Sequence, residues 1–317
     1  MKKLFLLVIT VFSGIAVFAY PITPRPLRKL VMESEYIIRG LVIETGTLPV
    51  SKNGSSWDRD FARILVREVW QGTIAADTIT VYYTSGLICP APAVYIKGAE
   101  MIAFLDKQEK GNGYETHALS YGVKYEGLSV YKARIKEIQQ ILQIKDVQQQ
   151  ETRTLDWLVE CAADQYTRWE GVYELLPESD FMSAYDRDGR TRKDIFLGTA
   201  QRERLFTALM AIDTLDYDDI ALVDIVQGIN DPALLQFLKS RLTRMDNQYL
   251  WPATGIMHRI VQLTGNNDLE SIYRLFNKTV YEYNKEKESR SLLEDFVRKM
   301  ENAGLKRPAL SAGNTGA

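Results

Sequence analysis

Ile135-Lys136-Glu137-Ile138-Gln139-Gln140-Ile141-Leu142-Gln143-Ile144 is where the chain changes its period. Ile135, Ile138, Ile141, Leu142 and Ile144 make one stripe, spaced as the buried side of an α-helix is spaced. Asp146 to Thr152, with its run of glutamines, then reads as a polar connection or as an extension of that helix. Before the change the apolar residues mostly alternate; after it no convincing strand is legible. The fold class that follows is α+β, with a β domain over 20–144 and an all-α domain over 145–302.

Five strands are predicted in the first part. Tyr36 to Ile43 is rich in β-branched residues, and Phe61 to Trp70 sets Ala62, Ile64, Val66 and Val69 against Arg63, Arg67 and Glu68. Thr78 to Tyr83 is the third. Ala99 to Leu105 is the fourth, apolar enough to be central, and Tyr114 to Tyr121 follows the turn signal Lys110-Gly111-Asn112-Gly113. A short helix at about Pro26 to Ser34 puts Leu27, Leu30 and Val31 on one face, fit to cover a barrel end. This order suits a small OB-like, five-stranded Greek-key barrel, because closure removes the edges a flat sheet leaves exposed. An antiparallel sandwich is the competing arrangement. The segments 46–58 and 84–98 read as loops.

In the second part the helical spacing continues through Leu205, Leu209 and Ile212, through Leu234, Phe237, Leu238 and Leu242, and through Ile256, Ile260, Val261 and Leu263. A weak repeat joins Ile225-Val226-Gln227, followed by Asn230, Asp231 and Leu234, to Ile260-Val261-Gln262, followed by Asn267, Asp268 and Leu269, 35 residues on. A degenerate third copy lies around Phe296-Val297-Arg298. The expectation for 199–302 is three antiparallel helix pairs in a short solenoid, each pair needing its neighbours to bury a core. The tail, 303–317, is rich in Pro, Gly, Ser and Ala and is expected to be mobile.

Lys2 and Lys3 precede an apolar run from Leu4 to Phe18, and Val17-Phe18-Ala19 supplies a cleavage site. The expectation is a signal peptide over 1–19, cut after Ala19, and a periplasmic or secreted mature protein beginning at Tyr20. No Cys follows the run, which disfavours a lipid anchor. Hydrophobic residues are 46% of the chain and charged ones 25%, enough for a real core, and no second apolar stretch is long enough for stable membrane insertion. A formal net charge of −2 without a basic run argues against a general nucleic-acid binder.

Between residues 34 and 122 the chain resembles the netrin-like domain, the barrel also found in tissue inhibitors of metalloproteinases. The resemblance is carried by Glu35-Tyr36-Ile37-Ile38-Arg39-Gly40-Leu41-Val42, by Val69-Trp70-Gln71-Gly72, by Cys89 in its loop, and by Lys97 to Leu105. It implies a barrel of the kind carried by exported bacterial proteins. It does not extend to the inhibitors' zinc-chelating N-terminal cysteine, since Tyr20-Pro21 stands there. The region 199–302 is similar to HEAT-like helical repeats.

Candidate chemistry is sparse. Cys89 and Cys161 are the only cysteines; export would permit a disulfide between them, and two buried thiols are the alternative. Neither they nor His117 and His258 make a zinc spacing. Asp186 to Asp194 places Asp186, Asp188 and Gly189 as in a calcium loop, but Ala184 and Ile195 fall where ligands should be, so a solvated loop is the simpler reading. Trp157, Tyr166, Arg168, Trp169 and Tyr173 gather within seventeen residues and form the candidate binding surface for a sugar or peptide, although such spacing also serves core packing. Glu160, Glu170 and Glu174 could pair as acid and base in glycoside cleavage, with nothing in the sequence to fix their separation. Asn53-Gly54-Ser55 and Asn277-Lys278-Thr279 fit glycosylation sequons. No catalytic, metal or cofactor-binding set is legible. The function expected is therefore a non-enzymatic binding or scaffold protein with a protein or peptide partner. The alternatives are a protease inhibitor acting through loops 46–58 or 84–98, and a carboxylate-based hydrolase.

Overall fold

The computed structural model describes residues 23–48, 59–86, 91–109, 111–176, 196–245 and 250–305. They divide into two compact units, the first ending at Thr154 and the second beginning at Leu155. The division falls inside the helix Val147–Ala163. Residues 1–19, expected to be a signal peptide, and Cys89, the Asp186–Asp194 cluster, Asn53 and the tail beyond residue 305 lie outside the described residues.

In the first unit, strands β1 (Tyr36–Leu48), β2 (Arg59–Gln71), β3 (Thr78–Tyr83), β4 (Glu100–Lys107) and β5 (Tyr114–Thr116) close into a barrel. The order is β1-β2-β3-β5-β4, and β4 returns to pair with β1, Ile38 facing Ala103. All neighbours run antiparallel except β3 and β5, which are parallel through Val81 and Tyr114. The barrel is thus closed and mixed, with Greek-key connections, and the sandwich is not formed. Alternation fills it: Ile38, Val42, Ala62, Ile64, Ile79, Val81, Met101, Ala103 and Leu105 form its core. Strand β4 is apolar on consecutive residues because Ile102 and Phe104, which point the other way, are buried too.

The expected fifth strand is much shorter than Tyr114–Tyr121. Ala118 and Leu119 take left-handed φ values of 54° and 53°, which ends the extended run at Thr116. A 3-10 turn, Leu119–Gly122, and a two-residue strand β6 (Val123–Lys124) against β4 follow. Helices α1 (Leu27–Glu33) and α2 (Leu128–Ile141) complete this unit and pack on each other. Leu27, Leu30 and Val31 of α1, with Tyr131, Ile135, Ile138 and Ile141 of α2, are buried. Each such side chain contributes about 1.5–3 kcal/mol of burial.

Helix α3 (Val147–Ala163) leads into the second unit, which continues with α4 (Arg168–Leu175), α5 (Thr199–Met210), α6 (Tyr217–Val226), α7 (Asp231–Arg244), α8 (Trp251–Thr264), α9 (Asn267–Thr279) and α10 (Glu286–Met300). Sequence neighbours stack as α5 on α6, α7 on α8, α8 on α9 and α9 on α10, while α6 also packs on α4 and α8. Each of the two aligned segments opens a helix at an asparagine cap, and in the second the cap is Asn266, one residue before the Asn267 of the sequence reading. Asn230 caps α7 by accepting from Ala233 N at 3.3 Å, and Asn266 caps α9 by accepting from Asp268 N and Leu269 N at 2.9 and 3.1 Å. Leu234 and Leu269 are the first buried residues behind those caps. Gly265 ends α8 at a φ of 58°, a conformation glycine adopts without penalty.

Candidate functional site

The first unit carries an open groove of about 690 Å³, within the ~300–1,000 Å³ range of ligand clefts. Val31 and Met32 of α1 form one wall. Lys136, Gln139 and Gln140 of α2, with Leu142 and Gln143 just beyond it, form the other, and Gln71 closes the strand end. The register of α1 explains Met32: with Leu27, Leu30 and Val31 turned inward, Met32 is left 55% exposed.

Two amides hold the walls apart at a fixed separation. Gln71, the last residue of β2, donates from Nε2 to Val31 O at 3.2 Å and Ser34 O at 2.6 Å. Gln139 Nε2 in turn donates to Gln71 Oε1 at 3.1 Å and to Trp70 O at 3.3 Å. Gln150 Nε2 donates to the carbonyls of Ile141, Leu142 and Ile144 at 3.3, 3.2 and 3.2 Å, around the end of α2. Gln140, Gln143 and Lys136 are exposed, and no hydrogen bond among the described residues engages their side chains. An amide offers donors and an acceptor together, and methionine adapts its shape to what it touches. The groove can therefore take a backbone beside apolar side chains.

The same helix α1 is latched on its other side. His117 lies just after β5, not within a strand as predicted, and its Nδ1 is 2.7 Å from Asp106 Oδ2. Its Nε2 faces Glu33 Oε2 at 3.4 Å, and Arg25 Nε holds that same oxygen at 2.6 Å. Burial disfavours the imidazolium, but the hydrogen bond and charge of Asp106, then those of Glu33, prevail and hold the pKa above its ordinary value. Across the barrel, Glu68 accepts from Lys132 of α2, from Trp70 Nε1 at 3.0 Å and from Arg39 at 3.3 Å. Lys132 first, then Trp70, pull its carboxyl down to about 2.

In the second unit the predicted surface is largely interior. Trp157 and Tyr173 are each 1% exposed, and Trp169 stacks on Tyr173 at 5.3 Å. Arg168 pairs with Asp219 at 2.5 Å and donates to Ala162 O at 3.3 Å, leaving Tyr166 as the exposed member of the group. Asp219 also accepts from Asp216 N at 2.8 Å, opening α6. Glu170 and Glu174 are buried, and Glu160 pairs with Arg204. Cys161 is buried in α3, where its carbonyl accepts from Thr167 Oγ1 at 3.0 Å. His258 Nε2 lies 3.0 Å from Gln262 Nε2. Burial and then the Arg259 charge lower its pKa. Thr279 of the second sequon is buried and bonded to Leu275 O and Phe276 O, so the folded helix hides the hydroxyl. Among the described residues no three His, Cys, Asp or Glu side chains gather as a metal site, and no helix is long and apolar enough to cross a membrane.

Neither a protein-family model nor a curated protein matches the chain. The groove was not singled out by the sequence reading. Its signal was present as Lys136, Gln140 and Gln143, a polar stripe at helical spacing opposite the isoleucines.

Proposed function

We propose that this chain is an exported, non-enzymatic binding protein that takes an extended peptide segment of its partner in the groove between α1 and α2. The observation that carries the reading is the groove itself: apolar Val31 and Met32 on one wall face Leu142 on the other, beside Gln140 and Gln143, whose amides match the donors and acceptors of a backbone. The ionisable groups best placed for chemistry support it as well. His117, Glu68, Asp219 and Asp224 each face an intramolecular counter-charge, an arrangement that builds structure. The netrin-like resemblance of the barrel and the HEAT-like resemblance of α5–α10 accord with a binding module joined to a repeat scaffold.

The test is panning of a displayed peptide library on the purified protein and on Leu142→Arg. Enrichment on the wild type that is lost on the variant supports the reading. Absence of enrichment, or enrichment unchanged by the variant, contradicts it.

One feature favours loop docking as a second reading, in the manner of a protease inhibitor. Val94 and Ile96 are 58% and 51% exposed on either side of buried Tyr95. The Tyr125 hydroxyl donates to Val94 O at 2.8 Å and accepts from Ile96 N at 3.0 Å, holding the segment extended. Inhibition of an extracellular protease that disappears in Val94→Asp/Ile96→Asp would establish this reading over the first.

A further inference from the structure

We infer that the groove selects peptide segments bearing a carboxylate about three or four residues from a large apolar side chain; this rests on the reading of the groove as a peptide site. The lining supplies one cation, Lys136, and no carboxylate. The other cations of α2 are already engaged. Lys132 is bound to Glu68, and Arg134 is paired with Glu137 at 3.0 Å. The amides of Gln140 and Gln143 bind either charge type equally, so charge discrimination falls to Lys136, and its sign favours an acid.

Helix geometry sets the spacing. Lys136 and Leu142 are six residues apart on α2 and its cap, where Leu142 keeps a right-handed helical conformation. At about 1.5 Å per residue this is about 9 Å along the axis. Six residues also turn the helix so that Leu142 stands about 120° around the axis from Lys136, which widens the separation to roughly 11–14 Å. An extended chain advances about 3.3 Å per residue, so the acidic and apolar side chains that meet Lys136 and Leu142 lie about three to four positions apart. Met32 on the opposite wall adapts to the apolar side chain from above.

The experiment is fluorescence anisotropy with labelled octapeptides of otherwise uniform Gly-Ser-Gln composition. One carries Glu four residues from Leu, a second carries Lys in place of that Glu, and a third places Glu next to Leu. Each is titrated into wild type, Lys136→Gln, Lys136→Glu and Leu142→Arg, with circular dichroism confirming that every variant folds. The expected result is at least tenfold tighter binding of the first peptide than of the second, weakened by salt. The preference should vanish in Lys136→Gln and invert in Lys136→Glu, and the third peptide should bind several-fold more weakly. Peptides that bind regardless of charge, or a preference that survives Lys136→Glu, would overturn this inference while leaving the peptide reading intact. Failure of all the peptides, together with self-association in sedimentation that Leu142→Arg abolishes, would overturn both and assign the groove to a second copy of the chain.

Discussion

Gly171→Ala sets two effects of known size against each other. Gly171 lies inside α4, where alanine is intrinsically better by about 1 kcal/mol. Tertiary packing opposes the change. A Cβ at this position would stand 2.4 Å from Ala162 N, 2.4 Å from Leu158 O and 2.9 Å from Ala162 Cα. Comfortable carbon contacts begin near ~3.5 Å, and the atoms met are helix backbone, which cannot rotate aside. Helix α4 must retreat from α3 by roughly 1 Å, and overpacking of this kind costs about 1–3 kcal/mol, more where the backbone has to move. Because backbone has to move here, the cost falls at the upper end, about 3 kcal/mol, and the net expectation is a loss of about 2 kcal/mol. At about 2–4 °C per kcal/mol for a domain of this size, the melting temperature falls by roughly 4–8 °C. Gly255→Ala in α8 is the internal control. Its Cβ would meet Ile220 Cγ2 at 2.8 Å and Cγ1 at 3.0 Å, side-chain atoms that can shift, so the propensity gain largely offsets the contact. Scanning calorimetry and urea unfolding of the two variants measure the contrast. Gly171→Ala as stable as the wild type, or less damaging than Gly255→Ala, would refute the reasoning.

Three further outcomes are expected. His117 has a raised folded pKa, so its contribution is complete below the unfolded value of about 6.5 and is lost as pH rises through the folded value. The stability advantage of wild type over His117→Gln should therefore be larger at about pH 5.5 than at about pH 8.5 by urea titration. Glu68 behaves oppositely: its pKa is lowered to about 2, so its contribution is present above the unfolded value of about 4.3 and disappears on acidification towards 2. Glu68→Gln should flatten that limb of the acid-unfolding curve. Asp219→Ala strands Arg168 in the interior and should cost about 3–5 kcal/mol, whereas Arg168→Met/Asp219→Leu should recover much of that loss, measured by a double-mutant cycle.

What the sequence disclosed and what it withheld divide along a physical line. Alternation at Ala62, Ile64, Ile79 and Val81 is a local property, and it sufficed for the barrel's strands and inward faces. The repeat was legible in its apolar residues, but it was read with Asn267 opposite Asn230, whereas the residue that caps α9 is Asn266, one position earlier. The end of β5 depended on left-handed backbone at Ala118 and Leu119, neither of which is a residue that advertises such a turn. Trp157 and Tyr173 lie in α3 and α4 and are buried, whereas Tyr166 falls in the turn between those helices and is exposed, a break that the continuous helical spacing of the sequence did not reveal. Arg168 looked available because Asp219, its partner, lies 51 residues along the chain. The groove was harder still. It exists only where α1, α2 and the end of β2 meet, and Gln71 and Gln139, which join them, are 68 residues apart.

The occupancy of the groove is tested most directly by methyl NMR on protein labelled at the methionine methyl groups. Met32 lines the groove, while Met101, Met257 and Met300 are buried in the two cores. Titration with the octapeptide carrying Glu four residues from Leu should move the Met32 signal in a saturable way and leave the three buried signals in place. A peptide that binds without disturbing Met32, or that moves the buried methyls instead, would contradict the account.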